Sequence, residues 1–137
     1  MKIKAAVLTA METPKPYADS QPVEIADVEL APPSAGEVLV EIRAAGVCHS
    51  DLSIINGSRP RPLPMVLGHE AAGVVAEVGK DVRVLKKGDH VAFVFVPSCG
   101  HCEPCMSGRP ALCEPGAKAN LEGTLLAGGK RLSWKGE

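Results

Sequence analysis

The chain has 137 residues, 45% hydrophobic and 23% charged, which is enough for one ordinary hydrophobic core without disulfide staples. A net charge of −1 with no basic block argues against nucleic acid or an anionic membrane as a partner. No apolar run approaches the roughly 20 residues that span a bilayer, and the N-terminal AAVLTAM is too short for a signal-peptide core, so the protein is expected in the cytoplasm.

In chain order, residues 2–9 (KIKAAVLT), 22–30 (PVEIADVEL) and 37–45 (EVLVEIRAA) are rich in Val, Ile and Leu and bounded by turn formers, as strands are. EVLVEI places Val38, Val40 and Ile42 on one face, with Glu37, Leu39 and Glu41 on the other. A short helix is expected over 50–56, with Ser50 or Asp51 as its N-cap. NGSRPRPLP then forms an extended loop, in which Arg59 and Arg61 read as solvated. Residues 71–78 (AAGVVAEV) and 90–96 (HVAFVFV) give two further strands, and His90 is expected to be exposed or capped. The tail from Gly116 is glycine-rich and weakly patterned, and Trp134 within it is expected to lack a partner surface and be poorly ordered. Short strands with turn-rich joints predict a compact, mainly β, antiparallel-type barrel with short helices and no internal repeat.

Between 99 and 113 lie four of the five cysteines, in the pattern C-x2-C-x2-C-x7-C. A reducing cytoplasm argues against disulfides, and thiolates at such spacing converge on a tetrahedral zinc site with Zn–S bonds of about 2.3 Å. Iron held by four thiolates, unligated thiols, and His101 as a substitute ligand are the alternatives. Gly100, Pro104, Gly108 and Pro110 supply the turns. A site closed by four thiolates stabilises its loop and performs no chemistry.

The fifth cysteine, Cys48, precedes His49, Ser50 and Asp51, and His69 and Glu70 follow about twenty residues later. Cys48 and His69 can make two ligands of a mixed zinc site, and Asp51 can fix the imidazole tautomer through the other ring nitrogen. On spacing alone, a buried small residue and a satisfied histidine are the commoner meaning of such a pair.

GVCHSDL, LGHEAAGVV, KKGDHVAF and the cysteine lobe, in this order and at these intervals, closely resemble the N-terminal half of zinc-dependent alcohol dehydrogenases, of the medium-chain dehydrogenase/reductase superfamily. The resemblance runs from about residue 4 to about residue 120. It implies a GroES-like catalytic domain, a distorted β-barrel, over 1–137, with a structural zinc lobe at 97–115. It also implies that Cys48 and His69 ligate a catalytic zinc and that Glu70 approaches it as an occasional ligand. By the same resemblance Asp51 orients His69, Ser50 takes the substrate's proton and His49 lies near the cofactor's pyrophosphate. Cys99, Cys102, Cys105 and Cys113 then hold the structural zinc.

The implied activity is reversible oxidation of an alcohol to an aldehyde or ketone by hydride transfer to NAD or NADP, in a homo-oligomer when full-length. Two departures stand out. Where many relatives carry a relay histidine the sequence reads Leu52–Ser53–Ile54, leaving Ser53 or water for that role. The chain also stops at Glu137, before a third catalytic ligand, and it contains no G-x-G-x-x-G after a strand. It therefore reads as part of a longer dehydrogenase, without a Rossmann domain and inactive alone. The alternative is a stand-alone, non-catalytic zinc-binding module. A quinone-reductase-like relative is disfavoured by the cysteine lobe and the Cys48/His69 pair.

Overall fold

A computed structural model describes residues 1–136. It is mainly β with short helices, built from two antiparallel sheets. In the first, β1 (Lys2–Leu8) pairs along its whole length with β2 (Val23–Leu30), from Lys2 opposite Glu29 to Leu8 opposite Val23. A four-residue helix, α1 (Tyr17–Ser20), lies in the connection. In the second sheet, β3 (Val38–Ala45) leads into α2 (His49–Ile55). The chain then returns through β4 (Met65–Val66), which joins the outer side of β1, and β5 (Ala71–Val78), which pairs with β3. β6 (His90–Ala92) adds to the other side of β5. The lobe holds α3 (Glu103–Met106) and a 3-10 turn at Pro110–Leu112, followed by α4 (Glu114–Glu122). Last, β7 (Leu132–Ser133) pairs with β2, giving the sheet orders β4-β1-β2-β7 and β3-β5-β6.

Strand alternation builds the core. Ala26 and Val28 of β2 point inward with Val7 of β1, and Ile3, Ala5, Val66 and Trp134 pack against them. Ile25, on the opposite face of β2, is 69% exposed. Burying side chains such as Val7 and Val28 contributes about 1.5–3 kcal/mol each. Trp134 corrects the expectation of a loose tail. Its partner surface is this core, and β7 fixes the backbone beside it by pairing with Glu29 and Leu30. Arg131 adds a bidentate ion pair to Glu37, with Nε–Oε2 at 2.7 Å and Nη2–Oε1 at 2.8 Å.

Three local expectations differ from the structure. Ile42 is half exposed because the β3–β5 register shifts between Leu39 and Val40 and again between Ile42 and Ala44, breaking the simple alternation. Gly73 stands opposite the second shift, where a Cβ would run into the Glu41 carbonyl. The strand expected over 90–96 ends at Ala92, and Phe93, Val94 and Phe95 leave the ladder after Phe93 N–H donates to the Ala71 carbonyl at 2.9 Å. The weakly patterned stretch after the lobe contains α4, capped at its C-terminus by Gly123 at φ 66°. Gly116 sits within α4, where any Cβ would collide with the Pro97 carbonyl, so glycine there answers to packing rather than to helix propensity.

Candidate functional site

Turns bring the four lobe cysteines together. Gly100 and Gly108 take positive φ of 81° and 79°, conformations that cost other residues more. Cys99, Cys102, Cys105 and Cys113 place their sulfurs within 4.8 Å of one another, and the Cys102 and Cys113 sulfurs are 3.9 Å apart. Tetrahedral zinc with bonds near 2.3 Å requires sulfur–sulfur edges of about 3.8 Å. All five cysteines are free, and 3.9 Å is far from a disulfide bond.

Backbone donors already face these sulfurs. Cys113 Sγ accepts from the N–H groups of Cys99 at 3.2 Å and Gly116 at 3.3 Å, and Cys99 Sγ accepts from Cys102 N–H at 3.4 Å. The His101 N–H is the main reason the Cys99 thiol is drawn down to about 6, whereas burial pushes the Cys105 thiol up to about 11. The donor set fits a zinc ion, whose charge favours the thiolate form of all four. His101 is turned away, exposed and with its Nδ1 at 2.9 Å from the Cys99 carbonyl.

The second cluster is organised by α2. Cys48, rather than the expected Ser50 or Asp51, is its N-cap, and Asp51 at the third helical position reaches back to accept from the Cys48 N–H at 3.2 Å. The other Asp51 oxygen lies 3.3 Å from His69 Nδ1. Asp51 is buried, so its carboxylate is committed to these two partners. An Nδ1–H donated to Asp51 leaves the Nε2 lone pair of His69 free for a metal. Cys48, His69 and Glu70 bring ligand atoms within 4.8 Å of one another. Glu70 is held by its backbone, whose carbonyl accepts from the Gly46 N–H at 2.8 Å. Its carboxylate packs where a side chain at Gly46 would otherwise lie.

Ser50 lies beside Cys48, with Oγ 3.6 Å from Sγ. Ser50, Asp51 and His69 line a half-open cavity of about 210 Å³. His49 is exposed and outside that lining, its Nδ1 3.5 Å from Ser53 Oγ. Ser53 also bonds the His49 carbonyl at 3.1 Å, so its hydroxyl points along α2 rather than into the cavity. Sequence reasoning missed Phe95 and Asn120 as wall residues. The Phe95 ring meets His69 edge-on, with centroids 4.8 Å apart, and Asn120 Nδ2 donates to the Phe95 carbonyl at 3.0 Å.

Residues 34–132 match the family model described as the alcohol dehydrogenase GroES-like domain. The chain belongs to this family. Among curated members, it is 41% identical over 138 aligned positions to an S-(hydroxymethyl)glutathione dehydrogenase of Escherichia coli O1:K1, covering 100% of this chain and 35% of that protein. The chain thus spans about a third of the length of the curated relatives it matches. Two solved structures are similar to it. One is an alcohol dehydrogenase zinc-binding domain protein from Burkholderia ambifaria, 38% identical with a TM-score of 0.83 over 98% of this chain and 34% of the other. The other is the benzyl alcohol dehydrogenase of Acinetobacter calcoaceticus, 34% identical with a TM-score of 0.79 over 96% and 34%. Membership of an enzyme family with zinc-binding members agrees with a donor set suited to zinc in the lobe. Among the described residues, no helix is long and apolar enough to cross a membrane.

Proposed function

We propose that residues 1–137 form the GroES-like catalytic portion of a zinc-dependent alcohol dehydrogenase, with the structural zinc lobe at 97–115. The reaction is the reversible oxidation of an alcohol to an aldehyde or ketone, with NAD or NADP as hydride acceptor. The observation that carries this reading is the meeting of Cys48, His69 and Glu70 beside a cavity lined by Ser50, with a buried Asp51 aimed at His69.

Cys48, His69 and Glu70 would hold the catalytic zinc, which supplies Lewis acidity towards an alcohol or carbonyl oxygen. Asp51 keeps the proton of His69 on Nδ1 and fixes the ring plane. Ser50 Oγ, at the cavity wall, takes the hydroxyl proton from the substrate and passes it to solvent. Phe95 and Ile54 give the half-open cavity an apolar side against which the substrate's carbon can lie. His49, exposed on α2, would meet the cofactor's pyrophosphate rather than the substrate. A zinc module without catalysis would need neither the cavity nor a buried carboxylate spent on one imidazole. The working enzyme is a cytoplasmic homo-oligomer in this proposal.

The test is spectroscopic. Cobalt(II) loaded into the Cys48–His69–Glu70 cluster should change its visible absorption when an alcohol is added, and the His69→Ala variant should show no such change. A spectrum unmoved by a broad panel of alcohols would contradict the proposal.

A further inference from the structure

The loop between α2 and β4 turns two arginines towards the cavity that contains Ser50 and His69. Its path is fixed locally. Arg59 N–H donates to the Ser53 carbonyl at 2.8 Å, Ser58 N–H donates to Asn56 Oδ1 at 2.9 Å, and Pro60, Pro62 and Pro64 restrict the rest. The Arg59 guanidinium carbon lies 5.8 Å from the centre of the Phe95 ring, the same ring that meets His69. Arg61 Nη2 donates to Asn120 Oδ1 at 3.4 Å, and the bond from Asn120 Nδ2 to the Phe95 carbonyl sets that amide's orientation. Arg59 is exposed and Arg61 half-buried, and both reach the cavity lining at its open side.

Neither charge is paired with a carboxylate among the described residues, although Arg43 and Arg131 both form such pairs. Among the described residues Asp51 is the sole carboxylate in the cavity lining, and its oxygens serve His69 and the Cys48 N–H. Two guanidinium groups on one wall repel each other until an anion sits between them. A carboxylate matches the planar fork of arginine, and a half-open, partly apolar site strengthens that pairing. Ile54, Met65 and Phe95 supply the apolar surface between the charged end and Ser50.

We infer that the cavity takes an alcohol or aldehyde bearing a carboxylate, with its oxygen end at Ser50 and His69 and its carboxylate on Arg59 and Arg61. This rests on the alcohol-oxidising reading of the same cavity. The cofactor's phosphates are the other source of anionic charge, and the experiment separates the two.

Amide chemical shifts of the ¹⁵N-labelled, zinc-loaded chain are followed during titration with 4-(hydroxymethyl)benzoate, benzyl alcohol, benzoate and inorganic pyrophosphate. The hydroxymethyl benzoate should bind about tenfold or more tightly than benzyl alcohol. That preference should vanish in the Arg59→Gln, Arg61→Gln double variant and shrink as salt is raised with the unmodified chain, a readout independent of how the variant folds. Equal affinity for the two alcohols would overturn the carboxylate assignment while leaving the alcohol reading standing. Benzoate binding as tightly as its hydroxymethyl form, with benzyl alcohol silent, would instead overturn the alcohol reading and leave only an anion site. Pyrophosphate outcompeting the hydroxymethyl benzoate would assign the arginines to the cofactor and overturn the proposal.

Discussion

Asp51 on α2 and His69 in the connection between β4 and β5, eighteen positions apart in sequence, face each other at 3.3 Å, with the carboxylate buried. The same carboxylate caps α2 through the Cys48 N–H. One residue thus sets both the start of the helix that presents Cys48 and the ring orientation of His69. Replacing Asp51 with Ala should weaken zinc at the Cys48–His69–Glu70 cluster by about 10–100-fold. The lost cap should cost about 1 kcal/mol of stability as well. Chelator competition resolves the two metal sites. Equal weakening of the four-cysteine site would show a general unfolding effect instead.

Metal removal should act on the lobe first. Cys113 is fully buried and its sulfur receives two backbone N–H groups, including one from the first turn of α4. Stripping zinc with a strong chelator should expose the amides of 97–122 to rapid hydrogen exchange while β1 and β2 stay protected. Ligand sulfur and folding are coupled in such sites. Unchanged protection across the lobe would show that its turns hold without metal.

Gly116→Ala should be costly although alanine is the better helix former. The added Cβ meets the Pro97 carbonyl, and backbone cannot yield as a flexible side chain would. A loss of about 1–3 kcal/mol in thermal or urea unfolding is expected. Gly123→Ala, where only a positive φ is at stake and no atom obstructs, should cost less, about 1 kcal/mol.

The tail has an acid-sensitive tie. Arg131, and next the Ser34 N–H, hold the Glu37 carboxyl below its ordinary value of 4.5. A depressed carboxyl stabilises the fold fully above the unfolded value, and that contribution fades as pH falls through the lowered folded value. Exchange protection at β7 should therefore drop below about pH 4.5 in the unmodified chain. In Arg131→Gln protection should be weaker at neutral pH and vary less with acid. A parallel pH profile for the two proteins would mean that Glu37 does not control the tail.

The strands were legible because β-branched runs bounded by turn residues have few other ways to fold, and β1, β2 and β5 lie within a residue of their expected limits. The cysteine lobe was legible because its spacing restricts the backbone to turns around one point. Other features depend on contacts that spacing does not encode. HVAFVFV has the residues of a longer strand, but β6 is an edge with one neighbour, and Phe95 leaves it to meet His69. α4 was hidden by Pro115 and Gly116, which lower helix propensity locally and are explained by first-turn geometry and by contact with Pro97. Trp134 carries no local sign of a partner because its surface is formed by β1 and β2, more than a hundred residues earlier. In the cavity, Cys48, Asp51 and His69 carried a signal in residue type and order. Asn120 carried none, since its role rests on a hydrogen bond to Phe95 across 25 positions.

Zinc per chain, measured by elemental analysis of the purified protein and of its Cys48→Ser variant, bears most directly on the two-centre arrangement. Two equivalents are expected for the unmodified chain, one in the lobe and one at Cys48, His69 and Glu70, with one equivalent in the variant. A single equivalent in both proteins would show that Cys48, His69 and Glu70 do not by themselves hold metal in this chain, and would contradict Glu70 as the ligand that completes the second centre.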